Sequence, residues 1–328
     1  MSWSKEKVFK NLFSLLFLFF LFINFSLPLF ADAHIFVYHR FGDDRYPSTN
    51  TSIEQLRKDF EYLKTNGYEV IPLSRLTDAV KNSENIPDKW VVITIDDGYK
   101  SFYQNALYIF KEYGYHFTLF AATKPSLKGY KDFMRWEELK EASKYGDIGL
   151  HSHSHPHLTH LSDEEIKKDT KTGIDLFEKY LGFRPNFYAY PYGEYDERVK
   201  NIIKSFGFKA ICNQNAGAIN KTSDIYDLDR IALVGKSDIS SKLKLRYLNA
   251  LWIEPRNYPA NGILEKVKVK IFDNAETAEI YVTGYGWKRV KVKNGLIDEE
   301  MNLHLKKKRT RVIIKVKNSK ISTRILVK

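Results

Sequence analysis

Three patterns predict an α/β barrel followed by a small C-terminal β-sandwich. From Ile35 to Val234, short continuous apolar runs alternate with amphipathic stretches. Strands that are apolar on both faces and separated by helices form a mainly parallel sheet covered on each side. Seven or eight such units over about 210 residues are enough to close that sheet into a barrel. Beyond Lys266 the pattern changes to short segments of alternating polarity with Gly, Asn and Asp between them. That is the mark of antiparallel strands with one wet face. The 328 residues are 43% hydrophobic, which excludes a disordered chain.

The chain opens with Lys5, Lys7 and Lys10, then the charge-free, Leu- and Phe-dominated run Leu12–Phe30, then Ala31-Asp32-Ala33. A basic start, an apolar core and a small-x-small site make residues 1–33 a signal peptide; uncleaved, the same run is long enough to anchor the chain in a membrane. The remainder is therefore expected outside the cytoplasm. The single Cys212 excludes an intrachain disulfide.

The first domain is expected over residues 34–250. Ile35–Tyr38 reads as a buried strand. Thr51 with Glu54 forms a capping-box signature before a helix that places Ile53, Leu56, Phe60 and Leu63 on one face and stops at Asn66-Gly67. Strands follow at Tyr68–Ile71 and, most clearly, at the β-branched Trp90–Ile95. A helix from Ser101 to Tyr113 stops at Gly114, and His116–Ala121 is strand. Trp136–Tyr145 is helix and Ile148–Leu150 strand. Ser162 and Glu165 cap a helix running towards Gly182. Phe187–Tyr190, Phe208–Ile211 and Ile231–Val234 complete the strand series, with a helix near Arg198–Phe206.

The second domain is expected over residues 251–328, with Pro255, Pro259 and Gly262 in a linker before its strands. These strands are predicted at Lys266–Ile271, Glu279–Val282, Arg289–Val292, Arg311–Val316 and Arg324–Val327. From Trp252 onward 18 basic residues face 8 acidic ones, so most of the chain's +12 charge lies here. Such an excess suits an anionic envelope surface. The chemical motifs lie elsewhere in the chain, and no nucleic acid is expected as partner.

Those motifs sit at strand ends, where a parallel barrel presents its loops. Asp96-Asp97-Gly98 directly follows the strongest strand. Two adjacent carboxylates cannot enter one pocket by strand alternation, so the chain must turn there, and Gly98 permits it. Pointing differently, one can bind a metal while the other holds a proton. After Ile148–Leu150 come His151, His153, His155, His157 and His160, five of the chain's nine histidines. Imidazole and carboxylate together suit zinc and similar divalent ions. In Tyr190-Pro191-Tyr192-Gly193 the Pro and Gly stop strand pairing and free main-chain N–H groups for a ligand.

Together the three motifs resemble the NodB-homology polysaccharide deacetylases, carbohydrate esterase family four. Thr94–Gly98 is similar to the family's Thr-Phe-Asp-Asp-Gly, with Ile95 in place of Phe. His151-Ser152-His153-Ser154-His155-Pro156 matches its His-x-x-x-His motif, and Ala189–Gly193 its Arg-x-Pro-Tyr-Gly. The end of the first strand, Tyr38-His39-Arg40, is also similar to exported members. The resemblance spans about residues 34–240. It implies a distorted (β/α) barrel and removal of N-acetyl groups from an N-acetylhexosamine polysaccharide, poly-N-acetylglucosamine first and peptidoglycan second. It implies one divalent ion, Zn2+ by preference, on Asp97, His151 and His155, with Asp96 as general base. The Tyr192 N–H would hold the oxyanion, and His39, Tyr190 and Pro191 would contact substrate.

Two departures stand out. The family's third-motif Arg is Ala189, and its late Leu-x-Leu-His is missing; after His160 the only histidine is His304. Arg230, on a late strand, is expected to replace the missing Arg and reach Asp96. Two readings compete with the enzyme: a carbohydrate-binding protein on a decayed barrel, and a metal-binding surface-attachment protein. The intact acidic and histidine motifs favour the enzyme.

Overall fold

The computed structural model describes residues 32–328; the expected leader falls almost wholly outside them. Among the described residues no helix is long and apolar enough to cross a membrane. Eight parallel strands form the first sheet: β1 (His34–Tyr38), β2 (Glu69–Val70), β3 (Trp90–Ile95), β4 (Thr118–Ala121), β5 (Asp147–Leu150), β6 (Phe187–Ala189), β7 (Ala210–Cys212) and β8 (Ile231–Ala232). The order is β8-β1-β3-β4-β5-β6-β7, with short β2 also on β3. A parallel bridge from Cys212 to Leu228, just upstream of β8, draws the two ends together. This is the distorted barrel that the strand pattern predicts.

Strand alternation divides the barrel's apolar residues between two cores. Val91, Ile93 and Ile95 of β3 join an outer core beneath the helices, with Phe60, Phe110 and Phe177. Val92 joins Ile35, Phe120, Ala189 and Cys212 in a separate cluster, which also takes Leu73, Leu76 and Ala79. Those last three lie on a helix, Leu73–Lys81, that the sequence reading overlooks. Farther along β3 the residues of the same parity as Val92 are Thr94 and then Asp96, both buried. The interior thus becomes polar towards the carboxyl ends of the strands.

Helix α1 (Ile53–Thr65) is capped one residue later than expected: Ser52 Oγ accepts the Gln55 N–H at 3.1 Å. Thr51 instead donates its hydroxyl to Leu233 O, tying the helix entrance to the end of β8. The helix predicted over Ser101–Tyr113 is broken at Ala106 into Lys100–Asn105 and Leu107–Tyr113, and ends at the left-handed Gly114 as expected. Helix α2 (Asp163–Leu181) has the full Ser162–Glu165 capping box and the predicted Gly182 stop.

The C-terminal unit starts earlier than residue 251. Strand β9 (Arg246–Tyr247) already pairs with its sheet, and β10 (Ala250–Glu254) lies just before the expected linker. The others are β11 (Ile263–Ile271), β12 (Thr277–Val282), β13 (Gly286–Lys291), β14 (Leu296–His304), β15 (Arg309–Lys315) and β16 (Lys320–Val327). Five form a sheet in the order β9-β16-β15-β12-β13, and β10-β11-β14 form a second. Val267, Val269, Ile280, Ile297, Val312 and Ile314 share one core fed by both sheets. The unit also docks on the barrel. Thr323 donates to Ala216 O, and the Ile325 N–H donates to Asn215 Oδ1.

Candidate active site at the barrel mouth

The ends of β3, β5 and β6 bring the three sequence motifs together. Asp97 has a left-handed backbone, φ 74°, as does Gly98 at 77°. The turn expected after β3 therefore falls on both residues, and it sends the two carboxylates different ways. Asp97 Oδ1 lies 3.4 Å from His151 Nε2 and 3.1 Å from His155 Nε2. One ligand atom from each of Asp97, His151 and His155 lies within 4.8 Å of the others.

These residues fit a divalent ion by donor chemistry and by orientation. His151 Nδ1 is 2.8 Å from Ala189 O, a contact that needs the proton on Nδ1 and turns Nε2 towards Asp97. Burial acts to raise the Asp97 pKa, but hydrogen bonds from His151 and His155 prevail and hold it well below the usual carboxylate range. A hard anionic oxygen and two neutral imidazoles make a three-ligand set of the open zinc type.

Helix α2 props up the histidine loop. Asp169 accepts the N–H groups of His153 and Ser154 at 2.8 and 2.9 Å and the Ser154 hydroxyl at 2.6 Å. Gly173, one turn later, lets the helix come close; a Cβ there would meet Leu150 Cδ1 at 2.7 Å. Ser152 and His155 take positive φ within this loop, at 63° and 55°. Backbone held in a strained region by surrounding contacts is a recurring feature of functional sites.

Asp96 is wholly buried and gripped by a guanidinium fork. Arg230 Nη1 donates to Oδ1 at 2.7 Å and Nη2 to Oδ2 at 2.8 Å. Arg230 is itself fully buried, and it also donates to Thr94 Oγ1 and Asn213 O. Gln214 Nε2 adds a longer bond to Asp96 Oδ2. Burial acts to raise the Asp96 pKa, and the Arg230 charge, aided by His151, outweighs it, so the carboxyl lies below its ordinary value. The contact expected of Arg230 from the sequence is thus present. A planar fork matches a carboxylate in a way that a lysine could not.

Tyr192 lies on a tight turn after β6, Pro191–Gly193, with φ 59°. The N–H groups of Gly193 and Glu194 are used within this turn, on Tyr190 O and Pro191 O. The Tyr192 ring meets His155 edge-on at 4.4 Å and stacks on His157 at 4.3 Å. His39, at the end of β1, is half-buried and its Nδ1 has no hydrogen-bond partner.

The other expected substrate contacts need correction. The Tyr190 ring is fully buried, stacked on Tyr195 at 4.7 Å, and Pro191 is buried as well. Strand alternation turns Tyr190 into the core, and Pro191 serves to start the turn. Sequence reasoning also missed Asp169, Gln214, Glu194 and Arg309, all of which touch the site loops. Glu194, directly after the third motif, carried a positional signal; the other three are remote in sequence.

Comparison with known proteins agrees with this fold. Residues 83–211 match the family model for polysaccharide deacetylase. The Bacillus subtilis protein YxkH is 27% identical over 207 residues, which is 61% of this chain and 71% of that protein. The poly-beta-1,6-N-acetyl-D-glucosamine N-deacetylase of Escherichia coli K12 is 21% identical over 241 residues, covering 60% of this chain and 35% of that protein. This chain thus spans about a third of the E. coli relative. Among solved structures, the Streptococcus pyogenes deacetylase PplD in complex with acetate superposes with a TM-score of 0.60 at 21% identity, over 65% of this chain and 97% of that one.

Proposed function

We propose an exported, metal-dependent hydrolase that removes N-acetyl groups from poly-N-acetylglucosamine or a related N-acetylhexosamine polymer, on the premise that residues 83–211 match the polysaccharide deacetylase family. One observation carries the reading: a three-ligand Asp97–His151–His155 cluster lies beside a buried carboxylate that an arginine keeps ionised. The E. coli relative, named for that substrate, supports poly-N-acetylglucosamine over peptidoglycan. The leader-like start of the chain supports export.

A divalent ion on Asp97, His151 and His155, zinc by donor preference, would polarise the acetamide carbonyl and make a water more acidic. The remaining work falls to the chain's own groups. Asp96 accepts the proton of the attacking water, and Arg230 fixes the carboxylate plane for that transfer. The Tyr192 N–H donates to the carbonyl oxygen as it gains negative charge. His39, with a free buried nitrogen at the rim, meets the sugar. Hydrolysis leaves acetate and a free amine, and the amine gives the polymer positive charge. The basic C-terminal unit draws the enzyme to an anionic envelope surface, an attraction that added salt weakens.

The test is acetate release from an N-acetylglucosamine oligosaccharide, run with metal analysis of the purified protein. Wild type should release acetate and carry about one equivalent of divalent ion, as a three-ligand site implies. A His151→Ala, His155→Ala double variant should lose both while keeping its fold. Full metal occupancy in that variant would reject the ligand assignment.

A further inference from the structure

The barrel does not hold the Tyr192 turn alone. Arg309, the first residue of β15 in the C-terminal sandwich, reaches across and donates from Nη2 to Tyr192 O at 2.7 Å. Its Nε lies 3.5 Å from Glu194 Oε1. Glu194 is only 3% exposed, and its other oxygen is 2.6 Å from His157 Nδ1. His157 stacks on the Tyr192 ring with 11° between the planes, and that ring abuts His155. Contacts therefore run without a break from the sandwich to an expected metal ligand.

We propose that Arg309 is a positioning residue of the active site, through which the C-terminal sandwich holds the Tyr192 turn in its working conformation. The inference rests on the function proposed above. Tyr192 is a bulky residue in the left-handed region, which side chains other than glycine avoid unless contacts enforce it. Within the turn, the neighbouring Gly193 also has positive φ, and a Cβ there would meet Gln214 Cβ at 2.4 Å. A charged donor on Tyr192 O fixes the peptide that follows Tyr192, and the Glu194–His157 pair fixes its ring. Together they set the direction of the Tyr192 N–H. Charge-assisted bonds of this kind are stronger than neutral ones, and Glu194 supplies the balancing charge. The sandwich thereby has a task besides surface attachment: it completes the loop that meets the developing oxyanion.

The experiment uses the full chain with R309A and R309K, and three readouts: kcat and KM for acetate release, zinc stoichiometry, and amide hydrogen exchange over residues 190–195. R309A should lower kcat about 10- to 100-fold, the range expected when an oxyanion donor is misplaced. KM and zinc content should stay within about two-fold of wild type, because binding groups are untouched. The Gly193 and Glu194 amides should exchange faster. R309K, which can still donate to Tyr192 O, should recover part of both effects. Wild-type kcat in folded R309A, or unchanged exchange in the turn, overturns the proposal. If R309A does not fold, R309M, which keeps the length of the side chain but donates nothing, carries the same test. Exchange reads the turn whatever the substrate, so a wild type that releases no acetate rejects the proposed function and leaves the test of Arg309 standing.

Discussion

Two buried aspartates on either side of β1 titrate in opposite directions. Asp59, on α1, is 1% exposed and accepts bonds from Tyr38 Oη at 2.8 Å and Gln55 Nε2 at 2.9 Å. Burial pushes its pKa up to about 6, and those two neutral donors only soften the rise. Asp96, at the barrel mouth, is 0% exposed yet lies below its ordinary value because of the Arg230 charge. Tyr38 serves both sites, since its carbonyl accepts the Asp96 N–H at 2.9 Å. Equal burial therefore does not imply equal protonation. Neutral hydrogen bonds satisfy a buried carboxylate, but a bidentate cation holds it ionised to lower pH. The flank holds a structural acid, and the mouth holds a base.

The largest effect should come from neutralising the mouth. Asp96→Asn keeps the shape and the metal ligands but removes the proton acceptor, and general base catalysis contributes typically about 10²–10⁴-fold. The expected outcome is a fall in kcat of that size with zinc content unchanged. Near-normal acetate release by D96N would place the base elsewhere and dissolve the contrast.

Removing the cation probes the same contrast from its other side. Arg230→Ala leaves a buried carboxylate unpaired, which typically costs about 3–5 kcal/mol of stability, measurable by urea unfolding. The sign of the catalytic effect follows from the lowered pKa. Asp96 works as a base above its folded pKa and loses that capacity as pH falls through it. Without Arg230, burial dominates as it does at Asp59, so the acid limb of kcat should move to higher pH. An acid limb that stays in place in R230A would show that Arg230 does not set the protonation of Asp96.

Asp59 gives the next, smaller effect. Its folded pKa is raised to about 6, so between the unfolded value near 4 and about pH 6 the folded state alone holds the proton. The Asp59 contribution to stability should therefore be greatest below that window and fall by about 2–3 kcal/mol as pH rises through it. Asp59→Asn, neutral throughout, should flatten this part of the curve. Wild-type and D59N curves of the same shape would mean that Asp59 is better compensated than its neutral partners suggest.

The sequence shows the mouth more clearly than the flank. Asp96, Asp97, His151 and His155 were legible because motif spacing and strand-end position coincide. Arg230 was legible only once Ala189 exposed the need for a cation, since nothing local distinguishes it from an arginine in a surface pair. Asp59 gave no signal: an acidic residue on an amphipathic helix reads as solvated, and its burial depends on α1 lying against Tyr38. Arg309 is hidden for a related reason, because its partner is 117 residues away in another layer. In the sandwich, β14 escaped notice because Asp298, Glu299 and Glu300 dilute its alternation. Lys266 on the paired strand β11 bridges Asp298 and Glu300. Local pattern reveals elements and loop chemistry; contacts set by packing remain invisible to it.

The smallest prediction separates Asp59 from the helix that carries it. Ser52 caps α1 through Gln55 N, and its loss weakens the helix without touching a titrating group. Ser52→Ala should cost about 1 kcal/mol, the usual value of an N-cap hydroxyl. Because nothing in that change binds a proton, the S52A stability curve should lie parallel to wild type from pH 4 to pH 7. D59N should instead alter the slope. If S52A also changed the slope, α1 would be loosening Asp59 from Tyr38 and Gln55. The raised pKa would then report the docking of the whole helix and not the immediate surroundings of one carboxylate. Parallel curves would assign the pH response to Asp59 alone, which is what its two neutral donors and deep burial lead one to expect.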